Sequence, residues 1–461
     1  MVFLLLLLGF GLRMVNLNQS FWLDEAAQVI ESSRPLLAQF DLSSDFHPPL
    51  FHLLLHFWMY FGKSEMYVRI LPVVLGLLSM YFTYKVAEEL TDKKSALLAL
   101  FFIAIAPYHM WYSQEARPYM LFVVTSIASL YYLIRKEWFA YSVVLILMLY
   151  TLYFAPFVIF GQIATLLIID KKSFVKGLKS VVIAAIAFLP WLPSFIHQLD
   201  VGTSGALMGW TGVVSVAVLK VIPLTFAKFV YGRGSIDNNL IYGLIILPVF
   251  ILFIYGMYQL WQHKKRRWLV LYFVTALLSA WIVSLFIPII APQRLIFLLP
   301  LFYIIVACGL EKIHPLLLKQ ALLLIVVAIS IAGIVDYYIN PNVQREQWRQ
   351  AITFIESYNK PSLVAFSFSE PFAPWLWYSH EQVKTISLAP NFVVTQENLI
   401  TIKPLIKGQQ RVFYFHYLDE LTDPHKLNKQ FFIQNGFVES EIKDFPGVGF
   451  ISIYEKVFAY N

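Results

Sequence analysis

Charge and sulfur are what this chain has least of. Only 14% of its 461 residues are charged and 59% are hydrophobic, whereas soluble domains carry about 25% charged residues. So little charge excludes an ordinary soluble enzyme and points to an integral membrane protein. The one cysteine, Cys308, excludes an internal disulfide and a cysteine metal cluster, and leaves the redox compartment open. No internal repeat and no low-complexity segment is present. Net charge is +7, but the basic residues fall in short clusters between apolar runs. That distribution suits orientation in a membrane and not nucleic-acid binding.

Apolar length is what the chain has in abundance. Runs near 2–12, 66–86, 95–111, 119–134, 138–153, 155–170, 179–196, 240–261, 268–288, 295–310 and 317–336 predict about eleven spans. The first, Val2 to Leu12, is short for a span and lacks the basic start and cleavage site of a signal peptide. It reads as a first transmembrane helix and is consistent with a start codon upstream of Met1. Aromatic residues, at 17%, fit interfacial belts and sugar-stacking surfaces equally.

Orientation follows from the short connections. Asp92-Lys93-Lys94, Arg135-Lys136, Lys171-Lys172 with Lys176 and Lys179, His263 to Arg267, and Lys312 fall in alternate loops. Positive short loops stay cytoplasmic. The external segments are then 13–65, 112–118, a turn at Tyr153 to Pro156, 197–239, 289–294 and everything after about 337. Within 13–65, Pro49 to Trp58 reads as an amphipathic helix lying at the interface. From residue 340 charges return and apolar runs shorten. Ser362–Phe368, Arg411–Phe415 and Gly449–Tyr454 read as strands and Gln347–Tyr358 as a helix. The expected architecture is an α-helical polytopic membrane domain, 1–339, followed by a small external α/β domain, 340–461.

Five polar groups fall on the expected external side: Asp24-Glu25, His47-Pro48-Pro49, Ser113-Gln114-Glu115-Ala116-Arg117-Pro118-Tyr119, Gln293-Arg294 and Arg345-Glu346-Gln347-Trp348-Arg349. Each also has a plain structural reading. Asp24 and Glu25 can cap a helix starting at Ala26-Ala27, and His47-Pro-Pro can be a stiff turn. Glu115 and Arg117 can pair with each other, and Arg294 can snorkel. Lys63, Glu65 and Arg69 read as interface anchors. Together the groups meet a chemical demand. An attacking alcohol or amine needs a carboxylate to take its proton. A phosphate leaving group needs cations, which arginine supplies in planar, bidentate form. A lipid-phosphate donor would place its headgroup at that depth.

The segments WLDEAAQ, HPPLFHLLLHFW with GKSEMYVRILPVVLG, YSQEARPYML, PQRLIFLLP and REQWRQAITFI occur in this order. They resemble the bacterial relatives of the dolichyl-phosphate-mannose protein mannosyltransferases, a group that includes the aminoarabinose lipid A transferases. These are polytopic glycosyltransferases of the GT-C class, and the resemblance covers most of residues 15–350. It implies inverting transfer of a sugar from a polyprenyl-phosphate donor to a lipid, glycan or protein acceptor, on the external face of the cell membrane. The first-loop catalytic acid falls on Asp24 with Glu25 beside it, and the donor-phosphate and substrate residues fall on His47, Glu115, Arg117 and Arg294. His47 departs from the lysine of the aminoarabinose branch and can be neutral at pH 7. Leu295 stands where many relatives have an aromatic residue. No cofactor, no metal and no nucleic-acid partner is expected. One alternative is a lipid-diphosphate donor with a divalent cation on Asp24, Glu25 and His47. The other is a transporter or flippase of lipid-linked sugars, against which the nearly charge-free spans count.

The topology is testable by labelling. A cysteine at Asn359 reacts with an impermeant thiol reagent in spheroplasts if residues after 340 are external. Reaction only after the inner membrane is opened overturns the orientation.

Overall fold

The structure is a computed structural model that describes residues 1–42, 46–203, 217–234, 236–358, 362–367, 372–380, 383–390 and 392–457. Asn359, Phe368 at the end of the first expected strand, and residues 204–216 and 235 of the connection 197–239 lie outside the described residues. The chain divides into two units: Met1–Leu17 with most of Glu31–Val343, and Asn18–Ile30 with the chain from Gln344 onward.

The first unit is helical. Each of the eleven apolar runs falls on helix. Among the described residues, five helices are long and apolar enough to cross a membrane: Glu65–Leu90, Lys171–Val201, Asn239–Trp261, Arg267–Ser284 and Leu316–Ile339. A sixth candidate is the pair Lys93–Ala104 and Pro107–Ser113, bent by 61°. The others, Val2–Met14, Tyr119–Arg135, Trp138–Leu149, Ala155–Ile169 and Ile296–Glu311, are shorter. Polar caps satisfy helix starts. Asp92 accepts from the Ser95 N–H at 3.0 Å, and Asn238 from Leu240 and Ile241 at 3.0 and 3.2 Å.

The basic loops gather at one end of this unit. Arg135 pairs with Glu89 at 2.9 Å, Lys136 with Asp170 at 2.7 Å, and Arg266 and Lys312 act electrostatically on Asp92. The helix Tyr119–Arg135 then carries the chain about 25 Å away from that end. Arg117, two residues before it, is therefore at the opposite end.

The bend between Ala104 and Pro107 frees backbone carbonyls inside an apolar domain, where each needs a donor. Arg13, fully buried at the end of the first helix, supplies them. Its Nη1 donates to the Ala104 and Gly9 carbonyls, both at 2.9 Å, and its Nη2 to the Ile103 carbonyl at 3.1 Å. The remaining donors reach Ser113 Oγ at 3.1 Å and His109 Nδ1 at 2.8 Å. Arginine cannot accept, so Nδ1 of His109 carries no proton, and its Nε2–H donates to Ser79 Oγ at 2.8 Å.

The second unit holds a five-stranded mixed sheet of β1 (Ser362–Phe366), β2 (Lys384–Ser387), β3 (Arg411–Phe415), β4 (Phe437–Phe445) and β5 (Gly449–Lys456). The order is β2-β1-β3-β5-β4, with β1 parallel to β2 and β3, and β5 antiparallel to β3 and β4. One face packs Leu363, Val412, Tyr414 and Tyr454 against Phe432 and Leu399. On the other, Trp348 is stacked on Phe415 with centroids 5.5 Å apart and lies 4.9 Å from Phe372. The expected strands and the helix Trp348–Glu356 are present. β2 and β4 are the strands the sequence pattern hid. β2 has four residues, and β4 is an edge strand bearing Glu439, Glu441, Lys443 and Asp444, so neither shows an apolar run.

Close helix packing in the first unit is testable. A Cβ on Gly256 would lie 2.1 Å from the Ile305 carbonyl oxygen, so helices Asn239–Trp261 and Leu299–Glu311 meet backbone to backbone there. Gly256→Leu should destabilise the detergent-purified protein by an overpacking cost of about 1–3 kcal/mol, read as a lower Tm. Gly243→Leu, on the same helix with nothing within 4 Å of its Cβ, should leave Tm unchanged. Equal melting of the two variants contradicts the packing.

Candidate active site

The broken span ends at Ser113, and its continuation holds the Glu115-x-Arg117 pair. The connection is held from three directions. Gln114 Nε2 donates to the Arg13 and Val15 carbonyls, both at 2.7 Å, and its Oε1 accepts from the Tyr337 hydroxyl at 2.5 Å. Glu115, 1% exposed, accepts from the Trp111 indole N–H at 2.9 Å. Arg117 is also buried, and its Nη2 lies 3.5 Å from His47 Nδ1. The structure thus brings together two of the cationic residues singled out 70 positions apart.

The same end of the first unit receives Arg294. The Leu50 N–H, at the start of the helix after His47-Pro-Pro, donates to the Tyr150 carbonyl at 3.0 Å. The turn that follows presents Phe154, whose ring lies 5.9 Å from the Arg294 guanidinium. Arg294 also donates to the Ile289 carbonyl at 2.5 Å. A guanidinium held by one carbonyl and one ring face retains donors for an anion.

The helix Leu50–Trp58 buries Phe51 and Leu55 along with its two histidines. His52 and His56 are buried, with His56 Nδ1 donating to the Ser32 carbonyl at 2.9 Å, while Leu54 and Phe57 are exposed.

Asp24 and Glu25 belong to the second unit. The helix begins at Leu23, earlier than Ala26-Ala27, so both acids sit in its first turn. Asp24 is half-buried and Glu25 fully buried. Residue 22 is tryptophan and has no oxygen to cap the helix. Glu346 fills that role from 323 positions away: its Oε2 accepts from the Leu23 N–H at 3.2 Å. The same oxygen accepts from the Trp348 indole at 2.6 Å, and Oε1 from the Tyr417 hydroxyl at 3.0 Å. Burial pushes the Glu346 carboxyl above its ordinary range; the three donors oppose this and the Asp24 charge adds to it. Just upstream, the Ser20 hydroxyl donates to the Glu346 carbonyl and the Phe21 N–H to the Tyr378 hydroxyl at 2.6 Å. Gly447 at the tip of the β4–β5 hairpin permits this arrangement, because a Cβ there would lie 2.8 Å from Glu346 Cα.

Three residues gain roles that the sequence pattern did not assign. Arg69 is no interface anchor: it is 1% exposed and donates to the Leu17 carbonyl at 2.9 Å. A charge inside an apolar domain has to find internal acceptors. Arg13 carried the same signal, an arginine closing an apolar run. Arg233 lies 4.6 Å from the ring of Trp111, the residue that holds Glu115. Only the fold could show that contact. Among the described residues, no group of three or more His, Cys, Asp or Glu side chains gathers as a metal site.

Residues 46–197 match the family described as dolichyl-phosphate-mannose-protein mannosyltransferase. His47-Pro-Pro, the segment from Gly62 and Glu115-x-Arg117 lie inside that match, while Asp24 and Arg294 lie outside it. No curated protein sequence matches the chain. Among solved structures, ArnT from Cupriavidus metallidurans bound to undecaprenyl phosphate is similar at TM-score 0.63 and 11% identity, over 99% of this chain and 98% of that one. ArnT in the apo state gives 0.60 and 10%, with the same coverage. The Archaeoglobus fulgidus oligosaccharyltransferase complex with Zn and sulfate gives 0.57 and 12%, over 99% and 73%. At these identities the likeness is one of fold. The chain has the fold of the polytopic GT-C glycosyltransferases, and it resembles both the protein mannosyltransferase family and ArnT.

Proposed function

We propose that the protein is a membrane glycosyltransferase that moves a sugar from a polyprenyl-phosphate donor to a lipid, glycan or protein acceptor, with inversion and on the non-cytoplasmic face. The observation that carries the reading is the approach of Arg117 to His47 at 3.5 Å, at the end of the unit that also receives Arg294. Two guanidinium groups and an imidazole suit the two negative charges of a departing phosphate monoester. The undecaprenyl phosphate bound to the fold relative ArnT supports a lipid phosphate as the ligand. Glu115, held by Trp111, orients the Arg117 segment.

Inversion needs a base on the sugar face opposite the leaving phosphate. Asp24 takes that role, removing the acceptor proton as the new glycosidic bond forms and the anomeric C–O bond to phosphate breaks. Glu25, buried behind it on the same helix, supports it. The reaction as written requires no metal.

Two sets of variants test these roles. Arg117→Lys and Arg294→Lys keep the charge and lose the planar fork, so donor KM should rise in each. Unchanged donor KM in both overturns the phosphate assignment. Asp24→Asn should cut turnover by about 10²–10⁴-fold with normal membrane insertion, and Glu25→Gln by less. Asp24→Asn retaining wild-type turnover removes Asp24 as the base. Loss of wild-type activity in EDTA would move the assignment to the metal-dependent, lipid-diphosphate reaction.

A further inference from the structure

The proposed base sits on the first turn of a helix whose own sequence does not cap it. Its capping group is Glu346. Three donors converge on it from three segments: the Leu23 N–H at 3.2 Å, the Trp348 indole at 2.6 Å and the Tyr417 hydroxyl at 3.0 Å. A carboxylate drawn out of water is costly unless donors satisfy it, and one of the three donors here is the helix start itself.

We propose that Glu346 is a positioning residue for Asp24: its carboxyl group locks the first turn of the helix Leu23–Ser33 to the C-terminal domain. The geometry distinguishes this from simple core filling. An apolar side chain of the same volume would pack equally well against Trp348, but it would leave the Leu23 N–H, the indole and the Tyr417 hydroxyl without their acceptor. Both arginines of the same motif reinforce the contact through backbone groups: the Arg345 N–H donates to Gln19 Oε1 at 2.9 Å, and Arg349 Nη2 to the Asn18 carbonyl at 3.0 Å. The motif REQWR thereby serves the segment that carries Asp24, 321 positions before Arg345.

Asp24 acts electrostatically on both Glu346 and Tyr417. Burial and the Glu346 carboxylate hold the Tyr417 phenol well above its ordinary pKa, so it remains a donor throughout the working pH range.

This inference rests on Asp24 being the base, and the test separates the two. Full-length protein in nanodiscs is compared as wild type, Glu346→Gln and Tyr417→Phe. The latter removes one hydroxyl donor and keeps the ring. Hydrogen exchange of peptides covering residues 21–30 should speed up by about 10-fold in Glu346→Gln and by less in Tyr417→Phe, with peptides of the helix Tyr119–Arg135 unchanged. Affinity for undecaprenyl phosphate should match wild type in both. With donor lipid extracted from membranes, kcat should fall several-fold in Glu346→Gln while donor KM stays at the wild-type value. Unchanged exchange at 21–30 in Glu346→Gln overturns the positioning role whatever Asp24 does. Faster exchange with unchanged kcat overturns the link from Glu346 to catalysis. An active Asp24→Asn removes the base assignment but leaves the exchange result standing.

Discussion

The broken span is the constraint on which the first unit depends. A helix bent by 61° inside an apolar domain exposes backbone carbonyls where no water is available. Arg13 resolves this with all five of its guanidinium N–H donors, two of them on the Ile103 and Ala104 carbonyls. A lysine has three donors on a single point and could not reach the same set. The cost of burying the charge is met by the density of acceptors around it. The break in turn ends the helix at Ser113, and so determines where Glu115 and Arg117 lie.

From that break the cationic end follows by contact. Gln114 is anchored to the first helix and to Tyr337, Glu115 to Trp111, and Arg117 meets His47. The prolines after His47 lead into a helix docked on the Tyr150 carbonyl, and the adjoining turn offers the Phe154 ring to Arg294. In the second unit a partly buried carboxylate, Glu346, is surrounded by donors, and Asp24 sits on the helix turn that it caps.

Much of the architecture was readable because hydrophobic length is a strong signal. All eleven apolar runs fall on helices, and the strands at 362, 411 and 449 lie where apolar residues cluster. The polar residues were readable as candidates because a membrane solvent makes each of them costly, so their presence demands an explanation. The role of each was less readable. Arg69 looks like an anchor by its place near a helix start, yet it is buried on a backbone carbonyl. The helix Leu50–Trp58 reads as amphipathic, and apolar residues lie on both of its sides: Phe51 and Leu55 are buried with the histidines, Leu54 and Phe57 exposed. Periodicity reports that two faces differ and does not say which one meets protein.

By itself the sequence determined the solvent this protein is built for, the apolar runs that form its long helices, the apolar strands near its C-terminal end and the residue types available for chemistry. Those properties are local, carried by composition and by spacing within a few turns. Tertiary structure alone decided which of these residues meet. His47 and Arg117 are 70 positions apart, Leu23 and Glu346 are 323, and Arg13 and Ser113 are 100. Each of those contacts is a single hydrogen bond between groups whose partners, at such separations, no local pattern encodes. They form because a buried donor or acceptor has to be satisfied, and only the packed fold specifies which group is within reach.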